Sequence, residues 1–380
     1  MNTADPSPHA NTPHSRLARI AQARQSLMQD GRSITSGWVA PWVEHSWQRC
    51  LNSGLQPNSH VSFSQVTSPM LRYTLEANHS LIAAAQPMLQ NLARAIVNTR
   101  YFAILTNADG VVVDACGAID HADPRAHLIT RVGTDLSERS IGTTAIGTAL
   151  SELQPVWLHR GEHFFDQTSV YSCAGAPLFG PDGACVGMLD VTGVDAQERP
   201  ELKHLVMQSA SKIENALITA LPHALLLRLN WPGNALGSDA DGMLCLDADG
   251  WITGANPVAR QMVPGLAAPR QAPVHVSDVF GMPCEPLFDA AKRPGKPIEL
   301  PLWSGLRLQA QAISHADEVH TLQAGTSAAP ALALREVEAA MIRKAVDEAR
   351  GNVGQAARAL GISRATLYRK LGHKSVCAGG

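Results

Sequence analysis

The strongest constraint on the fold is a run of three short helical segments near the C-terminus. Residues 331–374 contain no strand pattern, and their apolar spacing predicts helices over about Leu334–Ala349, Val353–Leu360 and Arg364–Leu371. Gly361 supplies a turn before the last helix, and the Ser363 side chain is suited to cap that helix. A short helix, a turn containing glycine and an arginine-rich, capped helix are typical of a helix-turn-helix.

The positive charge of the chain is concentrated in these same residues. The full chain has 31 Lys and Arg against 33 Asp and Glu, a net charge of −2. Residues 335–374 hold nine basic and four acidic residues, so they carry +5 and the remainder carries −7. After Val353 there are five basic residues and no acidic one. This local charge suits DNA, because phosphates bind cations and base edges are read by a helix in the major groove.

The last helix allows two interpretations. A charge run is usually a solvated tail, but five apolar positions fit a packed three-helix unit and favour a folded domain: Ala357, Leu360, Ile362, Leu367 and Leu371. On such a domain the residues expected to read bases are Arg364, Thr366 and Arg369. The residues expected to contact phosphates are Arg358, Tyr368, Lys370 and Lys374. The sequence therefore predicts double-stranded DNA as a partner.

The stretch GNVGQAARALGISRATLYRKL (Gly351–Leu371) resembles the Fis-type helix-turn-helix that ends bacterial enhancer-binding transcription activators. In that family the domain dimerises through its first helices and binds inverted repeats. The resemblance implies a homodimer, with Val337, Met341 and Ala345 near the dimer seam.

Composition indicates a globular protein of two or three domains. The chain has 380 residues, of which 45% are hydrophobic and 17% charged, which excludes a disordered or fibrous chain. No apolar run approaches the roughly 20 residues of a membrane span. The N-terminus is rich in Pro, His, Asn and Ser and lacks the apolar core of a signal peptide. We expect a cytoplasmic, nucleoid-associated protein that does not use a membrane.

The seven cysteines are scattered and predict no disulfide framework. None belongs to a C-x-x-C pair, and no Cys/His spacing resembles a zinc site. Reduced, mostly buried thiols are the ordinary interpretation, with a redox switch as the alternative. No metal and no cofactor is expected.

The middle of the chain has the pattern of a multidomain α+β protein. Helical spacing from Leu81 to Val97 is followed by a hairpin with the turn Asn107–Gly110, a second hairpin with the turn Gly180–Gly183, and a helix over Leu202–Leu221. Helices flanking an antiparallel sheet are predicted. A weaker repetition of this plan follows. It consists of a strand, the turn Asp247–Gly250, a second strand and a helix that begins at Asn256.

The predicted organisation has six parts. They are a flexible or helical segment at 1–35, a Trp-rich helical lead-in at 36–75, a sensor domain at 76–220, a smaller α/β domain at 236–315, a linker at 321–330 and the helix-turn-helix at 331–374. In the lead-in, Trp38, Trp42 and Trp47 are spaced to lie near one helical face, with Pro41 in the first turn. We interpret them as an anchor that docks on the next domain rather than a ligand cage.

The sequence does not complete the phosphate-loop, zinc-protease or serine-hydrolase motifs. Gly142 and Gly147 have the glycine spacing of a phosphate loop, but Thr148 and Ala149 stand where Lys and Ser or Thr are required. Glu162-His163 lacks the second histidine of a zinc-protease helix, and no G-x-S-x-G elbow occurs. The two glycines are better explained by tight packing. We expect no catalytic residues and no enzyme.

Four segments resemble the N-terminal sensor half of regulators of the acetoin-catabolism type. They are SWQRCLNSGLQP (46–57), GTTAIGTAL (142–150), EHFF (162–165) and CAGAPLFGPDGACVGMLDVTG (173–193). In that family this half is a GAF domain, a ligand-sensing fold with an enclosed pocket, which implies a small-molecule effector. Leu136 stands where the family usually has Trp, and Thr144 where it usually has Asn. If these positions line the pocket, the effector can differ from acetoin.

The candidate pocket residues are Thr143, Thr144, His163 and Tyr171, each with packing as the alternative role. Residues 240–310 look similar to a PAS domain, a second sensor fold.

The sigma-54-dependent activators of this type place an AAA+ ATPase of more than two hundred residues between sensor and helix-turn-helix, whereas about 130 residues (201–330) lie there in this chain. Neither a Walker A motif nor a GAFTGA loop occurs in it. The expected function is therefore a ligand-responsive transcription regulator without its own sigma-54 remodelling motor. Two alternatives stay open: a regulatory subunit of an AAA+ relative, and an architectural DNA bender. RNA polymerase or an AAA+ relative is a further candidate partner.

Overall fold

The computed structural model describes residues 13–29, 37–63, 65–266, 272–293 and 295–314. Within these ranges the chain forms two five-stranded sheets, each with helices packed against it. Residues 315–380, which include the predicted helix-turn-helix, lie outside the described residues.

Four helices precede the first sheet. They are α1 (Pro13–Arg24, continued by a π-helical turn at Gln25–Gln29), α2 (Pro41–Asn52), α3 (Ser68–Ala77) and α4 (His79–Ile96). Pro41 occupies the first turn of α2 as predicted, since the first helical N–H groups have no partner within the helix. The three tryptophans do not share one helix, because Trp38 precedes the start of α2.

The first sheet is antiparallel and has the order β2-β1-β5-β4-β3. Its strands and helices, in chain order, are β1 (Tyr101–Asn107), β2 (Val112–Gly117), α5 (Pro124–Thr130), α6 (Glu138–Ile141), α7 (Ala145–Glu152), β3 (Val156–His159), β4 (Tyr171–Phe179), β5 (Cys185–Val194) and α8 (Leu202–Thr219). Both predicted hairpins and the closing helix α8 are confirmed, because a short polar turn between apolar strands is a local signal.

The two faces of this sheet bury different helices. One face packs against α4 and α8 through residues such as Leu89, Val206 and Ile213. The other packs against α1, α2 and the short helices α5 to α7, where Ile20, Trp47 and other lead-in residues belong to the same core as the strands. The predicted docking of the tryptophan segment is confirmed for Trp47, which is fully buried. The lead-in is therefore part of the core of this first sheet.

The second sheet has the order β8-β7-β6-β10-β9. Its elements are β6 (Leu225–Asn230), β7 (Gly242–Leu246), β8 (Ile252–Ala255), α9 (Pro257–Met262), α10 (Val276–Val279), α11 (Glu285–Ala291), β9 (Ile298–Pro301) and β10 (Arg307–Ser314). Asn256 caps α9 as predicted, its side chain accepting a hydrogen bond from the Ala259 N–H (2.8 Å).

The predicted start of this second unit at residue 236 is too late. Strand β6 begins at Leu225 and lies in the middle of the sheet between β7 and β10. Its first three residues are all leucine and lack the alternation that marks a half-buried strand, because both faces are covered here: Leu225 and Leu227 pack in the main core of the sheet, and Leu226 packs with Ile218 of α8.

Candidate functional site

A small cavity lies between the first sheet and the helices on its α2 side. It is lined by residues of β1, β4 and β5 and of the segments around α5 to α7, nearly all of them buried. Its volume, counted as space open to the centres of water molecules, is about 30 Å³. Since one water needs roughly 10–15 Å³ by this measure, the cavity has room for about two waters.

Asp190 is the one acidic side chain that lines this cavity. It lies on β5 opposite Ile104 of β1 and Gly175 of β4, and it is 1% exposed. Its Oδ2 is hydrogen-bonded to the Thr192 hydroxyl, whereas Oδ1 has no hydrogen-bond partner among the described residues. Burial raises the pKa of Asp190 to about 7, because removing the carboxylate from water disfavours its charged form.

A chain of polar groups continues from Asp190 along the cavity wall. The Thr192 hydroxyl lies 3.2 Å from Cys173 Sγ, which lies 3.4 Å from His163 Nε2. His163 Nδ1 is 3.0 Å from the Arg160 carbonyl, which can only accept, so the ring proton sits on Nδ1. Burial lowers the pKa of His163 to about 4 and raises that of the Cys173 thiol well above its usual value. A neutral thiol therefore donates to the free lone pair of a neutral imidazole.

Three of the four predicted pocket residues come together here. Thr144, His163 and Tyr171 line the cavity, and Tyr171 donates from its hydroxyl to the Arg125 carbonyl at 3.1 Å. Leu136, which the sequence analysis also singled out, lines it as well. Whether these residues bind a ligand stays a prediction.

Thr143 has a different position. Its hydroxyl lies 2.7 Å from the Ser46 hydroxyl and 3.6 Å from Cys50 Sγ, both on α2. Arg49, on the same helix, binds both carboxylate oxygens of Glu138 at 2.7 and 3.0 Å. The SWQRC and GTTAIGTAL segments are therefore two sides of one helix–helix contact.

The glycines of the second segment allow this packing. A Cβ on Gly147 would come within 2.7 Å of the Glu138 backbone nitrogen, and Gly142 has φ +64 with Phe164 against it. The tight-packing interpretation of both glycines is confirmed.

The N-terminal helices also hold the loop that carries His163. Trp47 Nε1 donates to the Glu162 carbonyl at 2.9 Å. Arg24 donates to the carbonyls of Gly161, His163 and Phe164 at 3.0, 2.5 and 3.0 Å. This loop therefore depends on α1 and α2 to satisfy four of its backbone carbonyls and for the packing of its aromatic residues.

The sequence analysis missed the polar part of the cavity wall. Cys173, Asp190 and Thr192 all lie within the segment CAGAPLFGPDGACVGMLDVTG. A single aspartate between Leu189 and Val191 in a strand buried over most of its length is the signal that could have found the site, because a buried carboxylate is costly unless it is used.

The predicted DNA-contacting residues lie outside the described residues, as do the predicted dimer-seam residues Val337, Met341 and Ala345. In the ranges that the structure does describe, no helix is both long and apolar enough to cross a bilayer. The same ranges hold no cluster of three His, Cys, Asp or Glu side chains suited to a metal ion. Their six cysteines, among them Cys50 and Cys173, are free thiols.

Comparison with protein families accounts for both ends of the chain. Residues 18–215 match the N-terminal domain of MimR, and residues 333–372 match the helix-turn-helix of the Fis family of bacterial regulatory proteins. The first match contains the whole cavity, and the second contains the predicted recognition helix. No AAA+ ATPase domain was found in the chain. The chain is thus a bacterial regulatory protein with a DNA-binding helix-turn-helix. It belongs to the family defined by the N-terminal domain of MimR.

Similar proteins agree with this class. The chain is 31% identical over 255 residues to the acetoin catabolism regulatory protein of Cupriavidus necator, which covers 65% of this chain and 37% of that protein. It is 31% identical over 234 residues to MimR, the propane 2-monooxygenase operon transcriptional activator of Mycolicibacterium goodii, covering 59% of this chain and 39% of that one. The chain therefore spans less than half the length of these relatives. The crystal structure of the Escherichia coli DhaR(N)–DhaL complex is similar over 72% of this chain and 99% of that one, with 14% identity and a TM-score of 0.45.

Proposed function

We propose that the protein is a cytoplasmic, dimeric, ligand-responsive transcription regulator. In this proposal the first unit, residues 76–220 with the lead-in at 36–75, is a GAF sensor. Residues 225–315 form a PAS-like domain, and residues 321–330 link it to a Fis-type helix-turn-helix at 331–374. The observation that carries the proposal is the occurrence, in one chain, of a Fis-family match and a domain with a buried, mostly apolar cavity.

The sensing half of the proposal is supported by the chemistry of the cavity. A pocket that recognises a small metabolite is concave, mostly apolar and equipped with few polar groups that fix orientation. The cavity has this composition: Ile104, Leu136 and Ile141 supply apolar wall, and Asp190 supplies an unpaired acceptor. The relatives are named for operons of acetoin catabolism and propane oxidation, so a small, weakly polar effector is a consistent choice.

Regulation requires that the effector bind two states of the dimer with different affinity. We propose that ligand binding shifts the dimer equilibrium through the seam at Val337, Met341 and Ala345, and thereby the spacing of the two recognition helices on an inverted repeat. Arg364, Thr366 and Arg369 would read bases, while Arg358, Tyr368, Lys370 and Lys374 would neutralise phosphates.

A salt titration of operator binding tests the DNA half. Sites recovered by genome-wide binding of the tagged protein supply the DNA, and affinity is measured between 50 and about 200 mM salt, where counterion release gives a steep slope. Arg369→Ala should reduce the preference for the operator over a scrambled duplex by roughly 5- to 100-fold. Lys374→Ala should weaken both duplexes equally and lower the salt slope by about one.

The other candidate functions are outcomes of the same experiment. Absence of a salt slope contradicts DNA binding. Binding that appears only when an AAA+ relative co-purifies identifies a regulatory subunit, and binding that bends DNA without sequence preference identifies an architectural protein.

A further inference from the structure

Asp190 Oδ1 is a buried acceptor that the fold leaves unused. Among the described residues it has no hydrogen-bond donor, although its side chain is 1% exposed and lines the cavity. Leaving a buried polar atom unpaired costs free energy, and in native proteins such an atom is usually satisfied by a bound molecule or has a function. The cavity that Asp190 lines is a space from which a donor could reach this oxygen.

Oδ1 is an acceptor in the ionised form of the carboxyl. When Asp190 is ionised, both oxygens accept and the Thr192 hydroxyl donates to Oδ2. In this form Oδ1 has no proton of its own, and its residue lines the cavity. A ligand must therefore bring a donor.

The remaining wall restricts the size and charge of that ligand. Ile104, Ile129, Leu136 and Ile141 make the surroundings apolar, and the volume of about 30 Å³, which has room for about two waters, admits a larger molecule only when side chains move. The imidazole of His163 is held neutral, since burial lowers its pKa to about 4, so the wall offers no fixed positive charge to an anion. Moving a cation out of water into such a site is costly.

We infer that the cavity selects a small neutral aliphatic molecule by a hydroxyl group that donates to Asp190 Oδ1. This inference rests on the proposed function, because it names the class of effector for the proposed sensor. A ketone of the same skeleton displaces cavity water yet leaves Oδ1 unpaired, so it binds more weakly. Asp190 is thus the residue that determines specificity for alcohols.

Three probes with the same three-carbon skeleton test this selection on the full-length protein. They are 2-propanol, which donates and accepts, acetone, which only accepts, and isopropylammonium, which carries a charge. Binding is followed by ligand-observed saturation-transfer NMR up to millimolar concentration, because a ligand of four non-hydrogen atoms binds no tighter than tens of micromolar. We expect 2-propanol to bind at least about tenfold more tightly than either other probe.

Two variants locate the selection. Asp190→Leu should bring 2-propanol and acetone to within about threefold of each other, and it should fold because it removes an unpaired polar atom from an apolar site. Thr106→Val is the matched control, since Thr106 Oγ1 is also buried and unpaired in the described structure but does not line the cavity. It should keep the wild-type preference.

Several results would overturn the inference. These are equal or tighter binding of acetone, tightest binding of the ammonium ion, no binding of any probe, or an unchanged preference in Asp190→Leu. The comparison of the three probes on the wild type decides the question even if a variant is unstable. Operator affinity is measured on the same protein with and without 2-propanol. Selective binding of 2-propanol without DNA binding contradicts the proposed function alone. Normal DNA binding without selective binding of 2-propanol contradicts this inference alone.

Discussion

Replacing Trp47 tests whether the N-terminal helices belong to the core of the first sheet. The Trp47 ring is fully buried, its Nε1 donates to the Glu162 carbonyl at 2.9 Å, and the Arg24 guanidinium lies 5.8 Å from the ring centroid. Burial of a tryptophan removes about 150–250 Å² from water, worth roughly 4–6 kcal/mol at about 25 cal/mol per Å². Partial collapse of the site reduces the measured loss, so we expect Trp47→Ala to lower the free energy of unfolding by about 4 kcal/mol.

Trp47→Phe separates packing from hydrogen bonding. It keeps most of the ring but leaves the Glu162 carbonyl without its donor, and we expect a loss of about 2 kcal/mol. Trp303→Ala is the control, because that ring is 73% exposed and its removal should cost about 1 kcal/mol or less.

The measurement is urea unfolding of the full chain followed by circular dichroism, with the free energy obtained by linear extrapolation. If Trp47→Ala unfolds within about 0.5 kcal/mol of wild type, α1 and α2 are loosely attached and the reasoning from burial is refuted.

Two further predictions concern packing and pH. Gly147→Ala should lower the free energy of unfolding by about 1–3 kcal/mol, since its Cβ would meet the Glu138 backbone at 2.7 Å; Gly281→Ala, whose nearest neighbour is 3.7 Å away, should change it by less than about 0.5 kcal/mol, and equal melting temperatures of the two variants would contradict this. Burial raises the folded pKa of Asp190 from 3.8 to about 7, so its contribution to stability is fully present below about pH 4 and is lost as pH rises to about 7. Between pH 5 and 8 wild type should therefore lose roughly 2–3 kcal/mol relative to Asp190→Leu, and parallel pH profiles of the two proteins in urea unfolding would show that the carboxyl titrates normally.

Short sequence patterns correctly predicted the turns, caps and helices that residues close along the chain form. The sequence predicted the turns Asn107–Gly110 and Gly180–Gly183, the cap at Asn256 and the apolar stripe of α8. Each of these features is formed by residues close along the chain. The pairing of β1 with β5, some eighty residues apart, carries no such local signal. Strand β6 was missed for a related reason: both faces are covered at its start, so the run Leu225–Leu227 shows no alternation of apolar and polar residues.

The same distinction applies to the candidate site. Thr144, His163 and Tyr171 could be named because they stand in recognisable segments. Thr143 stands in one of those segments too, but its partners Ser46 and Cys50 lie more than ninety residues away, and only the fold reveals that its hydroxyl faces α2 instead of the cavity. Asp190 is one polar residue in a mostly apolar strand. Only the structure shows that its Oδ1 has no hydrogen-bond partner among the described residues.

The position of Asp190 also connects the cavity to the second sheet. Strand β5 carries Asp190 and begins just after the turn of Pro181, whose carbonyl accepts hydrogen bonds from Ala255 N at 2.9 Å and from Arg260 at 2.6 Å. Helix α8, packed on the same first sheet, contacts the second sheet through Asn215, which accepts a hydrogen bond from Asn256 at 2.8 Å. A ligand that repositions β5 would therefore act on two hydrogen-bonded contacts with β8 and α9, not on a flexible joint. Contact alone does not create coupling, since an effector shifts an equilibrium only by its difference in affinity for the two states. That difference would arise at Oδ1, because a hydroxyl ligand satisfies an atom that the ligand-free arrangement leaves unpaired.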